Sequence, residues 1–486
     1  MNNAWSVVMT EKHWQELHTH LFPGDGDEHG AVLRCGIATS SRGIRLLVRA
    51  VVPAVDGTDY IPGDRGYRKL TAAFAAENID ACAEEGLAYL AVHNHGGTNR
   101  VGFSGTDMAS HERGYPALLG INNGPPVGAL VFATDAVAGD IWTADGRRHE
   151  LTHLRVVGRP QQDLTAEPTP IAVADPAYDR QARIFGDRGQ AILAASRVAV
   201  VGVGGAGSLV SEYLARLGVG EIILIDPDRL DTSNVPRVVG ARRRDLPATL
   251  LPAWAPRWAV AVAARWSTLK VRIAARVARE ASPASRITTI PRSVLEADVA
   301  AALTDCDHIF LAADSALARR LVNSVTHQYL IPNTQIGSKV STSNGRVSDI
   351  FSVSRMSSPG SGCLRCNGLI PASRLTEEAT SEIQRRRQRY VDDADVHAPS
   401  VITLNAVAAS RAVDDWLMSI GGLTEPDVTP DHWVSYNPRT DETVDFEPVT
   451  DPDCPHCGPS RFALGDAVPL LAQHATAPRN TRPAHR

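Results

Sequence analysis

The feature that most constrains the fold is a glycine-rich turn between an apolar run and an amphipathic segment. The β-branched run 198–201 leads directly into Gly202, Gly204, Gly205 and Gly207, and a segment with helical spacing of apolar residues follows. This is strand, loop and helix in the order that a nucleotide-binding α/β unit requires. Glycines let the backbone approach a phosphate, and the N-terminus of the helix favours its negative charge. We therefore predict that these four glycines contact a nucleotide.

A second apolar run, EIILID, follows the predicted helix and ends in Asp226. In a Rossmann-like unit, an acid at this place accepts hydrogen bonds from a ribose. The same fingerprint occurs in nicotinamide dehydrogenases and in enzymes that use ATP. The residues that follow this fingerprint in the sequence have to distinguish dehydrogenases from enzymes that use ATP.

The order of the following motifs resembles the ThiF/MoeB-type adenylyltransferases, the family that includes the ubiquitin-activating enzymes. The segments that carry the resemblance are YDRQARIFGDRGQ with Arg180, LIDPDRLDTSNVPR with Asp226, Asp228, Asn234 and Arg237, TLKVRIAARVA with Lys270, IFLAADS with Asp314, and APSVITLNAVAAS. The resemblance implies ATP as the nucleotide, Asn234, Arg237 and Lys270 at its triphosphate, and Asp314 as a ligand of Mg²⁺. It also implies a homodimer through this domain, in which Arg180 reaches the nucleotide of the opposite subunit.

The chemistry of adenylation needs residues of these types. An enzyme that adenylates a carboxylate has to neutralise charge on the α-phosphate and on the leaving pyrophosphate, and has to hold the carboxylate in line. A dehydrogenase leaves Asn234, Arg237 and Lys270 without a role. We therefore expect an ATP-dependent adenylyltransferase.

Four of the seven cysteines form two CxxC pairs. Four thiolates in two such pairs make a closed tetrahedral zinc site, which stabilises a fold rather than catalysing a reaction. A redox-active pair is the alternative. The predicted ligands of a structural Zn²⁺ are Cys363, Cys366, Cys454 and Cys457.

The related adenylyltransferases often carry a further cysteine after the first CxxC pair, which takes the activated carrier as a thioester. No cysteine lies between Cys366 and Cys454 in this chain. The remaining three are Cys35, Cys82 and Cys306, and Cys306 stands beside a predicted buried strand. The sequence therefore argues against a thioester step.

The N-terminal third contains a second candidate metal site in the stretch HNHGGTNRVGFSGTD. His93 and His95 end a predicted strand, so their side chains should project to the same face. Ser104 and Asp107 have the spacing of a helix N-cap and its capping acid. Two imidazoles and a carboxylate with an open position also describe a catalytic zinc site. The spacing alone allows a capped helix as well as a metal site.

This stretch resembles the signature of the JAB/JAMM (MPN-domain) metalloproteases, which is His-x-His, a spacer and Ser-x-x-Asp. The resemblance implies zinc ligands at His93, His95 and Asp107, Glu28 in DEHGAVLRCGIA as the general base, and Ser104 as an orienting or oxyanion-stabilising hydroxyl. The spacer here has eight residues, where the family usually has seven. Enzymes of that family hydrolyse peptide or isopeptide bonds at the C-terminus of ubiquitin-like proteins.

Length and composition are those of a multidomain α/β protein. The 486 residues predict two or three domains. We expect a JAB/JAMM-like α/β domain at 1–154, a linker at 155–177 that is rich in proline and polar residues, a ThiF-type domain at 178–460 and a disordered tail at 461–486. A formal net charge of −5 gives no case for nucleic-acid or membrane binding. The N-terminus lacks the pattern of a secretion signal, so we expect a cytoplasmic location.

A long insert separates Arg237 from Lys270. It is apolar and holds Trp254, Trp258 and Trp266, but its prolines and arginines do not suit a membrane span. Extra packing, a dimer surface or a surface for a carrier protein are the alternatives.

These patterns predict a bifunctional enzyme. One domain would adenylate the C-terminal carboxylate of a ubiquitin-like protein, with a ubiquitin-conjugating-like protein as an acceptor, and the other would cleave at that C-terminus. Sulfur-carrier activation, in which the adenylate becomes a thiocarboxylate, is the first alternative. A zinc-stabilised binding scaffold with inactive sites is the second. The sequence does not identify the carrier or the final acceptor.

Overall fold

The structure is a computed structural model that describes residues 4–61, 68–343, 346–379, 400–425, 433–458, 465 and 470. Its strands form two eight-stranded sheets and one short hairpin. The predicted tail at 461–486 lies outside the described residues, apart from Gly465 and Leu470. Among the residues that are described, no helix combines the length and the apolar character needed to cross a membrane.

The first sheet belongs to the N-terminal third and closes on itself. Its strands are β1 (Trp5–Thr10), β2 (Gly30–Ser40), β3 (Gly43–Pro53), β6 (Ala88–Asn94), β7 (Val127–Ala133), β8 (Ala136–Trp142), β9 (Arg148–Val157) and β10 (Gln162–Leu164), with β4 (Tyr60–Ile61) and β5 (Lys69–Leu70) as the separate hairpin. The order is β1-β3-β2-β6-β7-β8-β9-β10, and β1 also pairs with β9. Because β1 has a partner on each edge, neither of its edges is left open.

Three helices, α1 (Glu11–Leu21), α2 (Ala72–Glu85) and α3 (Gly105–Asn122), cover this sheet. Alternate residues of β2 point to different cores. Leu33 packs with Trp14 and Leu17 of α1, whereas Val32 packs with Phe74 of α2. This alternation of period two places α1 on one face of the sheet and α2 on the other.

The second sheet has the order β13-β12-β11-β14-β15-β16-β17-β18. Its strands are β11 (Arg197–Val201), β12 (Glu221–Ile225), β13 (Arg286–Ile290), β14 (His308–Leu311), β15 (Asn333–Ser343), β16 (Arg346–Ser357), β17 (Trp433–Asn437) and β18 (Glu442–Phe446). Strands β13 to β15 in this order run parallel, and the rest are antiparallel. The predicted mainly parallel, Rossmann-like sheet is therefore extended by an antiparallel half.

Helices cover both faces of the parallel strands. The helices of this part of the chain are α4 (Asp179–Ala195), α5 (Gly205–Arg216), α6 (Arg257–Ala264), α7 (Lys270–Ala281), α8 (Ala297–Leu303), α9 (Ala316–Tyr329), α10 (Ala372–Ala379) and α11 (Ile402–Gly421). Helix α6 has no buried residue and does not take part in this covering. Val200 of β11 packs in the core formed with α5, α7 and α11. Val201 packs in the opposite core, with α8 and α9. Burial on both faces explains why β11 is a continuous apolar run rather than an alternating one.

The predicted linker at 155–177 begins inside regular structure. Residues 155–157 belong to β9, and β10 pairs antiparallel to them. Irregular chain therefore starts only after Leu164. Pairing within the sheet, which depends on distant strands, makes this proline-rich segment more ordered than its composition predicts.

Candidate functional site

A cavity of about 490 Å³ lies at the carboxyl ends of the parallel strands. Strands β11 and β14 are neighbours, while the chain passes from β11 to β12 and β13 on one side before it returns to β14 on the other. Ligands of open α/β sheets bind at this kind of switch point. The predicted residues that line the cavity are Gly202, Gly204, Gly205, Asp226, Asp228, Asn234, Arg237, Lys270 and Asp314.

At three positions of the glycine-rich turn, glycine is favoured for a different steric reason. Gly202 has a φ of +87°, which disfavours residues with a side chain. A Cβ on Gly207 would lie 1.9 Å from the carbonyl oxygen of Gly202, and one on Gly205 would lie 2.2 Å from Nδ2 of Asn405. Gly207 does not line the cavity, so its role is the close packing of α5 against the turn rather than contact with a ligand.

Asp226 stands at the end of β12 and is held by the backbone. Its Oδ2 accepts a hydrogen bond from the amide of Val203 at 2.7 Å, and its Oδ1 accepts one from the amide of Asp228 at 2.8 Å. Burial raises the pKa of this carboxyl, and the nearby Lys270 partly opposes that effect. Each oxygen retains a lone pair, so the carboxylate can still accept a hydrogen bond from a ribose hydroxyl.

The predicted cations stand beside polar partners at the rim. Lys270 begins α7, and its Nζ lies 2.7 Å from Oδ2 of Asp228. Arg237 donates to Oδ1 of Asn234 at 2.8 Å. The Lys270 side chain is mostly buried, whereas that of Asp228 is exposed. The ion pair with Asp228 therefore holds the lysine at the wall of the cavity.

Asp314 follows β14 and faces a cation that sequence reasoning missed. Arg319 of α9 also lines the cavity. Burial lowers the pKa of this arginine, and the charge of Asp314 acts in the opposite direction. Arg319 carried no signal in the sequence. It lies five residues after Asp314, at the start of α9, and this position becomes meaningful only once α9 packs beside β14.

Three further polar side chains, Ser338, Ser400 and Asn405, reach the cavity from distant segments. Ser338 of β15 donates to Oδ1 of Asn405 at 2.8 Å, and Asn405 donates to Oγ of Ser400 at 3.1 Å. Both Ser400 and Asn405 lie in the stretch APSVITLNAVAAS. The resemblance pointed to this stretch but not to these residues.

Arg180 is not among the described residues that line this cavity. It is exposed near the start of α4. Its predicted role at the nucleotide of an opposite subunit stays a prediction.

The four CxxC cysteines converge into one cluster, although 91 residues separate the pairs. Their Sγ atoms lie 3.5 Å apart for Cys363–Cys366, 3.7 Å for Cys363–Cys454 and 3.5 Å for Cys366–Cys457. Tetrahedral Zn²⁺ with Zn–S bonds of about 2.3 Å sets the sulfurs about 3.8 Å apart. The cluster therefore fits a zinc ion, and it would join the segment after β16 to the segment after β18.

The N-terminal candidate residues also converge. Nε2 of His93 lies 3.2 Å from Nε2 of His95, and these atoms lie 3.6 and 3.5 Å from Oδ2 of Asp107. Tetrahedral Zn²⁺ with ligands at about 2.0–2.1 Å sets those ligands about 3.3 Å apart. His95 directs Nδ1 to the carbonyl oxygen of Gly102 at 3.1 Å, a hydrogen bond that leaves Nε2 free to bind a metal.

The capped helix and the group of candidate metal ligands involve the same residues. Ser104 is the N-cap of α3, and it forms a capping box with Asp107. Its Oγ donates to Oδ2 of Asp107 at 2.7 Å. Burial opposes ionisation of Asp107, but His93 and Ser104 hold the pKa of its carboxyl well below the usual value. The two interpretations of the sequence therefore describe one arrangement.

Glu28 lies at the edge of the same cluster, just before β2. Its Oε1 is 3.8 Å from Nε2 of His95. Burial raises the pKa of this carboxyl, and the two histidines oppose the rise. A carboxyl with a raised pKa beside a metal cluster has the properties of a general base.

A larger cavity of about 600 Å³ lies between α1 and the turn at 358–362. Of the predicted site residues, only Cys457 lines it. Its size does not make it the better candidate, because the glycine-rich turn and the cations Arg237 and Lys270 line the other cavity.

Comparison with known proteins shows the family to which this chain belongs. The sequence profile of the ThiF family matches residues 178–456. The tRNA threonylcarbamoyladenosine dehydratase of Bacillus subtilis is 47% identical over 64 residues, which are 13% of this chain and 25% of that protein. The SAMP-activating enzyme E1 of Haloferax volcanii is 30% identical over 147 residues, which are 30% of this chain and 47% of that protein. The chain thus spans at most about half the length of these curated relatives.

A solved structure is also similar. The crystal structure of Escherichia coli MccB with MccA-N7isoASN aligns at a TM-score of 0.44 and 20% identity, over 59% of this chain and 75% of that chain.

Proposed function

Because this chain belongs to the ThiF family, we propose that it is an adenylyltransferase that uses ATP and Mg²⁺ to activate the C-terminal carboxylate of a ubiquitin-like protein. The observation that carries the proposal is the single cavity at the switch point of the sheet, which brings the glycine-rich turn together with Lys270, Arg237 and Asp314.

Each side chain has a role that follows from its chemistry. The carboxylate oxygen of the carrier forms a bond to the α-phosphorus of ATP, and the bond from that phosphorus to the pyrophosphate oxygen breaks. Arg237 and Lys270 neutralise charge on the phosphates. Asp314, with Asp228 nearby, supplies the oxygen ligands that Mg²⁺ prefers. Asp226 accepts hydrogen bonds from the ribose, and Asn234 orients Arg237.

We further propose that the adenylate passes directly to a second molecule. The three cysteines outside the zinc cluster are all buried. Burial raises the pKa of Cys82 to about 11 and that of Cys306 to about 12. Because the thiolate is the nucleophile, these thiols do not suit a thioester step. The acceptor would be a thiol or amine on another protein, such as a ubiquitin-conjugating-like protein, or on a small molecule.

Sulfur-carrier activation is the alternative within the same chemistry. The first step is identical, but the adenylate is then converted to a thiocarboxylate. A requirement for a sulfide or persulfide donor would separate this route from conjugation to a protein.

The test of adenylation is ATP–pyrophosphate exchange by the purified full chain, with ubiquitin-like and sulfur-carrier proteins offered in turn. We expect exchange that depends on a carrier, and a loss of about a hundred-fold or more in Asp314→Ala, because a metal-binding charge at the phosphates is removed. Asp145→Ala, a change on an exposed loop, is the matched control and should retain full exchange. Exchange that survives in Asp314→Ala contradicts the assigned role of this residue.

A second function is favoured by the His93, His95 and Asp107 cluster. We propose that these residues hold Zn²⁺ in a JAB/JAMM-like peptidase site, with Glu28 as general base and Ser104 as an orienting hydroxyl. Zinc bound there would lower the pKa of its bound water toward neutral pH. The support is the separation of the three ligand atoms, which matches a tetrahedral site despite the spacer of eight residues.

Release of a reporter fused to the C-terminus of the carrier tests the peptidase. Glu28→Gln should abolish release while zinc content is retained, because the general base is lost and the ligands are not. His93→Ala should lose both the release of the reporter and the bound zinc. Equal release by wild type and Glu28→Gln would contradict the proposal.

A further inference from the structure

A short segment just before α3 is hydrogen-bonded to two of the proposed zinc ligands. The carbonyl oxygen of Gly102 lies 3.1 Å from Nδ1 of His95. Two residues later, Oγ of Ser104 donates to Oδ2 of Asp107 at 2.7 Å. Groups that hydrogen-bond to a metal ligand set its orientation. A shift of this segment would therefore move two ligands that come from different elements.

Phe103 lies between these two residues and connects the segment to the third ligand. Its ring centroid is 6.2 Å from that of His93 and 4.9 Å from that of His111, and the latter contact is edge-on at 79°. Both separations are in the range of favourable aromatic pairs. Phe103 is partly buried and packs against the core that includes Tyr115. Its phenyl ring therefore ties the segment to the interior of the domain.

His111, one helical turn after Asp107, is held on two sides. Its side chain is buried, and its ring stacks on that of Tyr115 with centroids 4.6 Å apart and an angle of 12°. Nδ1 of His111 donates to Oδ2 of Asp140 at 2.9 Å. The ring that Phe103 meets is thus fixed in both position and orientation.

Asp140 is itself held by several donors. Nε1 of Trp142 and Nη2 of Arg148 donate to its Oδ2 at 2.9 and 3.0 Å, and Nε of Arg148 donates to its Oδ1 at 3.1 Å. Burial opposes ionisation of Asp140, but hydrogen bonds from His111, Arg148 and Trp142 lower the pKa of its carboxyl. The carboxylate therefore stays charged near neutral pH and remains an acceptor for His111.

We infer that Phe103 and His111 are positioning residues of the proposed zinc site, with Asp140 as the group that fixes His111. The inference rests on the zinc site of the second proposed function, and it adds residues that are neither ligands, nor the base, nor the orienting hydroxyl. Phe103 holds its two neighbours in the chain where they orient their ligands, and its ring packs beside the imidazole of His93. His111 acts through Phe103.

Competition of the full chain with a zinc chelator tests the inference, and His93→Ala identifies the ion that is bound at the histidines. Phe103→Ala and His111→Ala should each raise the zinc dissociation constant of this site about ten-fold, a usual effect of losing a group that orients metal ligands. Phe103→Tyr keeps the ring and should retain wild-type zinc affinity. Phe103→Leu keeps apolar volume without the ring, and it replaces Phe103→Ala in the test if that variant does not fold.

Asn122→Ala is the matched control for a loss of stability alone. Asn122 is buried at the other end of α3, where its Nδ2 donates to the carbonyl oxygen of Leu87 at 3.0 Å. Its loss should lower the urea midpoint and leave zinc affinity unchanged. Unchanged zinc affinity in the Phe103 and His111 variants, or an equal loss in Asn122→Ala, overturns the inference and leaves the zinc site in place. A wild type that binds no zinc at the histidines overturns both.

Discussion

At the scale of single residues, the shape of the nucleotide cavity depends on glycines, which have no side chain. Gly205 leaves room for the amide of Asn405, and Gly207 leaves room for the carbonyl of Gly202. The glycines of the turn therefore serve packing within the protein as well as access for a phosphate. Asp226 shows the complementary case, because two backbone amides hold a carboxylate that would otherwise be costly to bury.

Gly207→Ala should weaken ATP binding at least ten-fold. The added methyl would lie 1.9 Å from the carbonyl oxygen of Gly202, so the turn has to shift. Isothermal titration with ATP measures the effect. Gly114→Ala, in α3, is the control, since its added methyl meets no atom within 4 Å. Equal ATP affinity in the two variants would show that the turn tolerates the shift.

At the scale of elements, helix ends and loops position the two candidate metal sites. Helix α3 begins where Ser104 caps it, and the cap places Asp107 beside the end of β6, which carries His93. The cysteine cluster joins two loops of the antiparallel half-sheet. In both clusters the ligands come from elements that only the fold brings together.

Ser104→Ala should lower the free energy of unfolding by about 1 kcal/mol, the usual cost of losing an N-cap. It should also weaken zinc binding at His93, His95 and Asp107 by about ten-fold, because the hydroxyl orients the carboxylate ligand. Thr71→Ala removes the N-cap of α2 and should give the same loss of stability with unchanged zinc affinity. Chemical denaturation and competition with a zinc chelator measure the two effects. Identical zinc affinity in both variants would contradict the orienting role.

Zinc content should separate the two clusters. We expect two zinc ions per wild-type chain by mass spectrometry of the metal, one in Cys454→Ser and one in His93→Ala. Cys454→Ser should also lower the melting temperature by several degrees, because a structural zinc site contributes directly to folding. Cys35→Ala, a change outside both clusters, should retain both ions. Fewer than two zinc ions per wild-type chain would contradict one of the two proposed zinc sites.

At the scale of the whole molecule, charged residues join the two sheets. Arg42 lies 2.8 Å from Asp307, and Arg155 also contacts this carboxylate. Ser41 donates to Asp305 at 2.7 Å. Burial opposes ionisation of Asp307, but Arg155 and Arg42 lower its pKa to about 2. The two candidate sites are thus carried by units that share an ionic contact around the mostly buried Asp307.

Asp307→Asn should destabilise the protein by roughly 2–3 kcal/mol, because the arginines lose a buried counter-charge. The folded-state pKa of Asp307 is depressed from 3.8 to about 2, so its stabilising effect is present above pH 4 and is lost as the pH falls toward 2. Urea unfolding across this range should show the variant and the wild type converging in acid. Asp145→Asn, an exposed change, should alter stability by less than about 0.5 kcal/mol. A constant difference between Asp307→Asn and wild type at all pH values would contradict this account.

Local patterns in the sequence were sufficient for several elements and for the types of the site residues. The strand, turn and helix around Gly202 were predictable because apolar periodicity and glycine act over a few residues. The cap of α3 at Ser104 was predictable because capping also depends on residues close in sequence. The cysteine pairs indicated a metal from spacing alone.

Only the tertiary structure decided which distant residues meet. Glu28 reaches His95, Asn405 reaches Gly205, and Asp307 reaches Arg155 through the packing of whole sheets and helices. Tertiary structure also decided that part of the predicted linker is ordered, because it pairs in β9 and β10. It likewise decided that Trp254 is exposed. The physical reason is that short-range propensity selects an element, whereas burial of one face against another, summed over the chain, selects its neighbours.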